Sequence, residues 1–111
     1  MAIIKTIPAQ RLVHGKIIDT SEVSIVSEKD YSTTGEDCVI VRGVAQCTVT
    51  LNSKTTDHTV IKAITLVTIK PDVGKIDEEF DEIVMDKGAC VEFRFCGNTW
   101  YILSSDGLKQ S

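Results

Sequence analysis

Histidine occurs twice in this sequence, proline twice and tryptophan once, and six of the 111 residues are aromatic. Each scarcity removes a class of chemistry. A cupin-type metal barrel needs several histidines converging on one ion, and a serine or cysteine nucleophile needs a base beside it. His14 and His58 stand in no recognisable motif, and G-x-S-x-G, H-E-x-x-H and a phosphate-cradling glycine loop are all missing. The four cysteines, Cys38, Cys47, Cys90 and Cys96, include no C-x-x-C pair, so neither a thiolate zinc site nor a dithiol redox site is expected. No apolar run approaches the ~20 residues of a membrane span, and no N-terminal stretch has the length of a signal h-region. The expectation is a chain made in a cytoplasm, with reduced thiols. Acidic residues outnumber basic ones by 16 to 12, giving a net charge of −4, which argues against neutralising a nucleic-acid backbone. Together these absences predict no enzyme activity, no cofactor, no metal, no direct nucleic-acid contact and no membrane insertion.

What is abundant is β-branched: Val, Ile and Thr fill 37 of 111 positions. Such side chains favour pleated surfaces and lose rotamer freedom in helices. Short apolar runs broken by turn residues, without a helical period, predict one all-β domain, a small antiparallel β-sandwich of jelly-roll type with an extended N-terminal arm. The expected division is an arm over 1–20 and a sandwich over 21–111. Pro8 cannot donate to a ladder and belongs on an edge or in an extended arm. Residues 1–18 carry Lys5, Arg11 and Lys16 with no carboxylate, so the arm is +3 and the remainder −7. That asymmetry suits contact with an acidic neighbour.

Two hairpins are predicted. DCVIVRGVAQCTVTLN reads as strands joined at Arg42-Gly43, which sets Cys38 opposite Cys47, with Cα atoms about 4.5–5.5 Å apart. The two thiols then either pack or, in an oxidising medium, cross-link. VEFRFCGNTWYIL reads as strands joined by a type II′ turn at Gly97-Asn98, pairing Cys96:Thr99, Phe95:Trp100, Arg94:Tyr101, Phe93:Ile102 and Glu92:Leu103. Parity turns Phe93, Phe95, Trp100 and Ile102 inward and leaves Arg94 against Tyr101 outside. Between the hairpins, Asp77, Glu78, Glu79, Asp81 and Glu82 crowd around Phe80. They lack the ligand spacing and glycine of an EF-hand, so a solvated loop or a dock for basic residues is expected.

The order of these motifs carries a resemblance. CVIVRGVAQCTVTLNSKTTDHTVIKAI, VTIKPDVGKID, the acidic stretch, GACVEFRF and GNTWYILSSDG, covering about residues 37–107, resemble a β-sandwich module of tailed-phage virion proteins. In that module a VTL strand precedes a TIKP-like strand, an Ile-Asp turn and a terminal Gly-x-x-Trp hairpin. Free-standing and behind a basic arm, the chain is similar to the small capsid decoration (staple or cement) proteins of short-tailed phages of the epsilon-fifteen type. The resemblance implies a non-enzymatic protein on the virion exterior, synthesised in the host cytoplasm. It would stabilise the head by bridging neighbouring subunits of the major capsid protein, as a homodimer. Ile3, Ile4, Ile7, Leu12 and Val13 are the expected apolar anchors, and Lys5, Arg11 and Lys16 the salt-sensitive contacts. The chain departs from the module after Ile76-Asp77, where Glu78 replaces the usual Gly. A different class is a receptor- or carbohydrate-binding head module of a tail fibre or spike; with the aromatic cluster turned inward, Tyr31 and Tyr101 are its candidate sugar platforms. A cupin-like isomerase would require metal in the purified protein.

Overall fold

In a computed structural model of the chain, the backbone is described for residues 3–13 and 16–108 and the side chains for residues 22–106. Nine strands occur, with no helix among the described residues: β1 (Ile3–Val13), β2 (Lys16–Ser27), β3 (Asp30–Ser32), β4 (Cys38–Val41), β5 (Gln46–Leu51), β6 (His58–Ala63), β7 (Leu66–Pro71), β8 (Ile83–Cys96) and β9 (Thr99–Leu108). Alternation decides which side chains go in. In β5 Cys47, Val49 and Leu51 are buried, in β7 Val67 and Ile69, and in β8 Ile83, Met85, Ala89, Val91 and Phe93. Each fully buried aliphatic or aromatic side chain contributes about 1.5–3 kcal/mol.

One continuous sheet wraps around this core in the order β1-β2-β4-β6-β8-β7-β5-β3, with β9 also paired to β8. The chain is all-β, as the composition implies. The pairing is mixed, however, and the expected purely antiparallel sandwich is corrected on this point. β2 with β4, β4 with β6, β3 with β5 and β5 with β7 are parallel; β1 with β2, and β8 with β6, β7 and β9, are antiparallel. The path is a coil. Even-numbered strands build one wall and β3, β5 and β7 the other, so each turn of chain stacks on the last, unlike the Greek-key route of a jelly roll. β8 closes the coil by crossing from one wall to the other at the exposed corner Asp86–Gly88, where φ of Gly88 is 89° and the β9 register shifts.

The Arg42-Gly43 hairpin is therefore not formed. Gly43 does take a positive φ of 78°, yet residues 42–45 carry the chain to the opposite wall instead of folding it back. Thr65 Oγ1 donates to the Val44 and Ala45 carbonyls, at 2.5 and 2.9 Å, and ties this corner to the one below it. Cys38 and Cys47 thus stand on strands that do not pair, and both are free thiols.

The terminal hairpin forms as read through Phe93:Ile102. Its turn is type I′ instead of II′, because φ is positive at both Gly97 (57°) and Asn98 (65°). The register then slips, so that Glu92 faces Ser104 and not Leu103, and Leu103 is left 56% exposed. Phe95 and Trp100 stack at 5.1 Å between ring centroids with planes tilted by 49°.

Candidate functional site

The segment expected as an arm is a two-stranded ribbon. Ile3, Ile4, Lys5, Ile7, Arg11, Leu12 and Val13 lie along β1 and Lys16 opens β2, so the backbone brings all eight onto one element; their side chains lie outside the described residues. The register runs from Ile3 opposite Ser27 to Val13 opposite Lys16, with a shift between Arg11 and Leu12. β2 spans the boundary expected at residue 20 without a break, and only Val23–Val26 pair onward with β4. Residues 8–22 are accordingly a ribbon beyond the body's sheet, while residues 3–7 form an edge strand of the sheet itself.

Beside the ribbon lies a surface that the sequence reading missed. On the outward side of the even-numbered wall, Val23, Cys38, Val60 and Glu92 form one row across the strands; Ile25, Ile40, Lys62 and Cys90 form the next. All are half-buried. The opposite wall shows water Thr48, Thr50 and Thr68 with Asp30, Ser32 and Lys70. The available signal was the unbroken run Cys38–Val41, since a strand apolar on both faces indicates cover on both.

The acidic segment is a strap along β9. Asp77 N–H donates to the Trp100 carbonyl (2.8 Å), Trp100 N–H to the Lys75 carbonyl (3.2 Å), and Ile102 N–H to Asp77 Oδ1 (2.9 Å). Ile76 anchors it in the core, fully buried. The turn needs left-handed backbone at Asp77 (φ 54°) and Glu78 (φ 61°), a conformation that glycine adopts more readily than either. Glu78 accepts a hydrogen bond from the Tyr101 hydroxyl at 3.2 Å, so that hydroxyl turns to the strap. Trp100 Nε1–H reaches Asp72 Oδ1 at 3.3 Å. Burial pushes the Asp72 carboxyl up, but its hydrogen bonds from Ser53 and Trp100 outweigh this and hold it below the usual range.

Two further polar clusters exist. Glu36, 2% exposed, accepts from Ser24 Oγ (2.9 Å), Tyr31 Oη (2.5 Å), Thr34 Oγ1 (3.0 Å) and Thr34 N–H (2.8 Å). Burial raises its pKa, but the four hydrogen bonds outweigh this and hold it below the usual range, with no cation beside it among the described residues; Tyr31 is pushed up by burial and by Glu36. On the surface, His58 Nε2 meets Glu92 Oε2 at 2.5 Å, and Ser104 Oγ donates to Glu92 Oε1 at 3.0 Å. The carboxylate stands between hydroxyl and imidazole, so the histidine ring touches no nucleophile in this arrangement; the bonds link β6, β8 and β9 instead. Both hydrogen bonds hold the Glu92 pKa down.

Among the described residues no three His, Cys, Asp or Glu side chains converge as metal ligands. Burial, with Asp30 and Glu28 nearby, pushes the Cys47 thiol up to about 11, so it packs as a neutral group. Compared with known proteins, the chain matches no family model and no curated protein.

Proposed function

We propose that this chain is a non-enzymatic virion protein that docks on the outer surface of a phage head and stabilises it by bridging neighbouring major capsid subunits, as a homodimer. The observation that carries the reading is the ribbon: residues 8–22 reach beyond the body's sheet, and the chain's +3 segment lies within and beside them. A compact body bearing such an element suits a bridging role, because it fixes a spacing while the ribbon adds contact area. The motif order supports the same class. A ligand that binds the assembled lattice better than free subunits stabilises that lattice by mass action.

The tail-fibre or spike reading has less to rest on. Tyr31 is 8% exposed with its hydroxyl on Glu36, so it is no sugar platform, and Trp100 and Phe93 are fully buried. Tyr101 and the 38% exposed Phe80 remain available.

The test is cosedimentation of the purified chain with expanded heads that lack it. Binding is expected, weakening as salt rises and lost in the triple variant Lys5→Glu, Arg11→Glu, Lys16→Glu with its fold retained. A triple variant that binds like the parent refutes the ribbon's role, and binding to cell-surface glycans with none to heads favours the tail-fibre reading.

A further inference from the structure

We infer that the outer edge of β1 at Ile4–Pro8 is a strand-addition site that takes an extended, acidic segment of a capsid partner, with Pro8 as its end stop. This deepens the docking reading and rests on it. The argument starts on the far side of β2. Glu22 N–H donates to Asp37 Oδ2 (3.0 Å), its carbonyl accepts from Asp37 N–H (3.0 Å), and the Val26 carbonyl accepts from Arg42 N–H (2.9 Å). These groups point from β2 toward β4, away from β1.

In an antiparallel ladder the two members of such a pair both turn their backbone groups away from each other. Pro8 opposite Glu22, Thr6 opposite Ser24 and Ile4 opposite Val26 therefore present theirs at the outer edge of β1. That parity explains why proline is accommodated here, since its missing N–H is not one that β2 requires. It also defines the site. The N–H groups of Ile4 and Thr6 and the carbonyls of Ile4, Thr6 and Pro8 form a ladder that ends where Pro8 has no donor. Among the described residues β1 has no strand partner except β2.

Backing and charge narrow the choice. Residues 3–7 are held by β2 residues 23–27, of which β4 holds 23–26 in turn, so this edge belongs to a wide sheet; beyond Pro8 only the ribbon backs β1, and its register slips at Arg11. A sheet edge of this kind is a template for an added strand. β1 carries Lys5 and Arg11 and no carboxylate, which selects an acidic occupant. A second copy is disfavoured: an antiparallel pair using Ile4 and Thr6 of both chains has its axis at Lys5 and sets two Lys5 residues face to face, where like charges repel.

Thr6→Pro and Ser32→Pro test the site, because each removes an outward N–H at a sheet edge without taking a bond from the neighbouring strand, the first inside the ladder on β1 and the second on β3, where Lys29 and Thr33 are the residues bonded toward β5. Circular dichroism and thermal melting establish that both fold. The parent and Ser32→Pro are expected to bind expanded heads alike, and Thr6→Pro to bind about tenfold more weakly, as loss of a backbone hydrogen bond and a steric block implies. In parallel, a synthetic hexapeptide of alternating Val and Thr with terminal Glu should shift the Ile4 and Thr6 amide resonances of the parent. If the parent binds heads and a folded Thr6→Pro binds equally well, the edge inference falls while the docking reading stands. If the parent ignores heads but the peptide shifts those amides, docking falls and the edge stands. Neither effect, or a dimer that Thr6→Pro abolishes, overturns the inference.

Discussion

Glu36 carries its charge inside the fold, held by donors from three residues. Its carboxylate is 2% exposed and joins Ser24 on β2, Tyr31 on β3 and Thr34 in the following loop. Glu36→Gln keeps the shape. Oε1 can still accept from the Thr34 N–H, while the new amide nitrogen faces three hydroxyls that must rotate to accept. The amide has only two hydrogens for the three hydroxyls, so three charge-assisted bonds become neutral ones at about 0.5 kcal/mol each and one is lost at about 1 kcal/mol, about 2 kcal/mol or slightly more in all. For a domain of this size that lowers Tm by about 10 °C. The pH dependence identifies the cause. The folded pKa of Glu36 lies below its ordinary value, so its contribution is fully present above the unfolded carboxyl pKa of about 4.3 and is lost as pH falls through the folded pKa. Urea unfolding of parent and variant should therefore show the full gap at neutral pH and a shrinking gap below about pH 4. A gap that stays constant down to pH 2, or is absent at pH 7, would refute the reasoning.

Thr59 is fully buried and its hydroxyl has no hydrogen-bond partner among the described residues. Thr59→Val, the isosteric apolar swap, should raise stability by about 1 kcal/mol in urea melts; a loss of similar size would show that the hydroxyl is satisfied. Glu78→Gly relieves left-handed backbone worth about 1 kcal/mol at the cost of an exposed Tyr101 bond and some chain entropy, so Tm should hold or rise slightly. A marked fall would mean that the Glu78 side chain, not the turn, holds the strap.

What could be read in advance was local. The Gly97-Asn98 hairpin was legible because a two-residue turn fixes register for both flanking strands, and burial of Phe93 and Trp100 follows from parity. The slip at Leu103 had no sequence mark. The coil was illegible for the converse reason: β4 finds β2 and β6 across long connections, and parallel partners leave no turn signature between them. Gly43 has the positive φ that a hairpin turn would need, yet serves a corner four residues long. Asp77 and Glu78 break the preference for glycine at left-handed positions, so the strap could not be told from a solvated loop. Pro8, expected on an edge or in an extended arm, lies on the edge strand β1, and its outward parity follows only from the bonds of Glu22 and Val26 toward β4.

The most direct measurement is the temperature at which DNA-filled heads lacking the protein release their contents, with the purified chain titrated in. The account predicts a release temperature that rises with protein concentration and, above the Kd, keeps rising with its logarithm, because binding to the intact lattice stabilises it by mass action. It also predicts no rise with the Lys5→Glu, Arg11→Glu, Lys16→Glu variant. An unchanged release temperature at saturating parent protein would contradict the account.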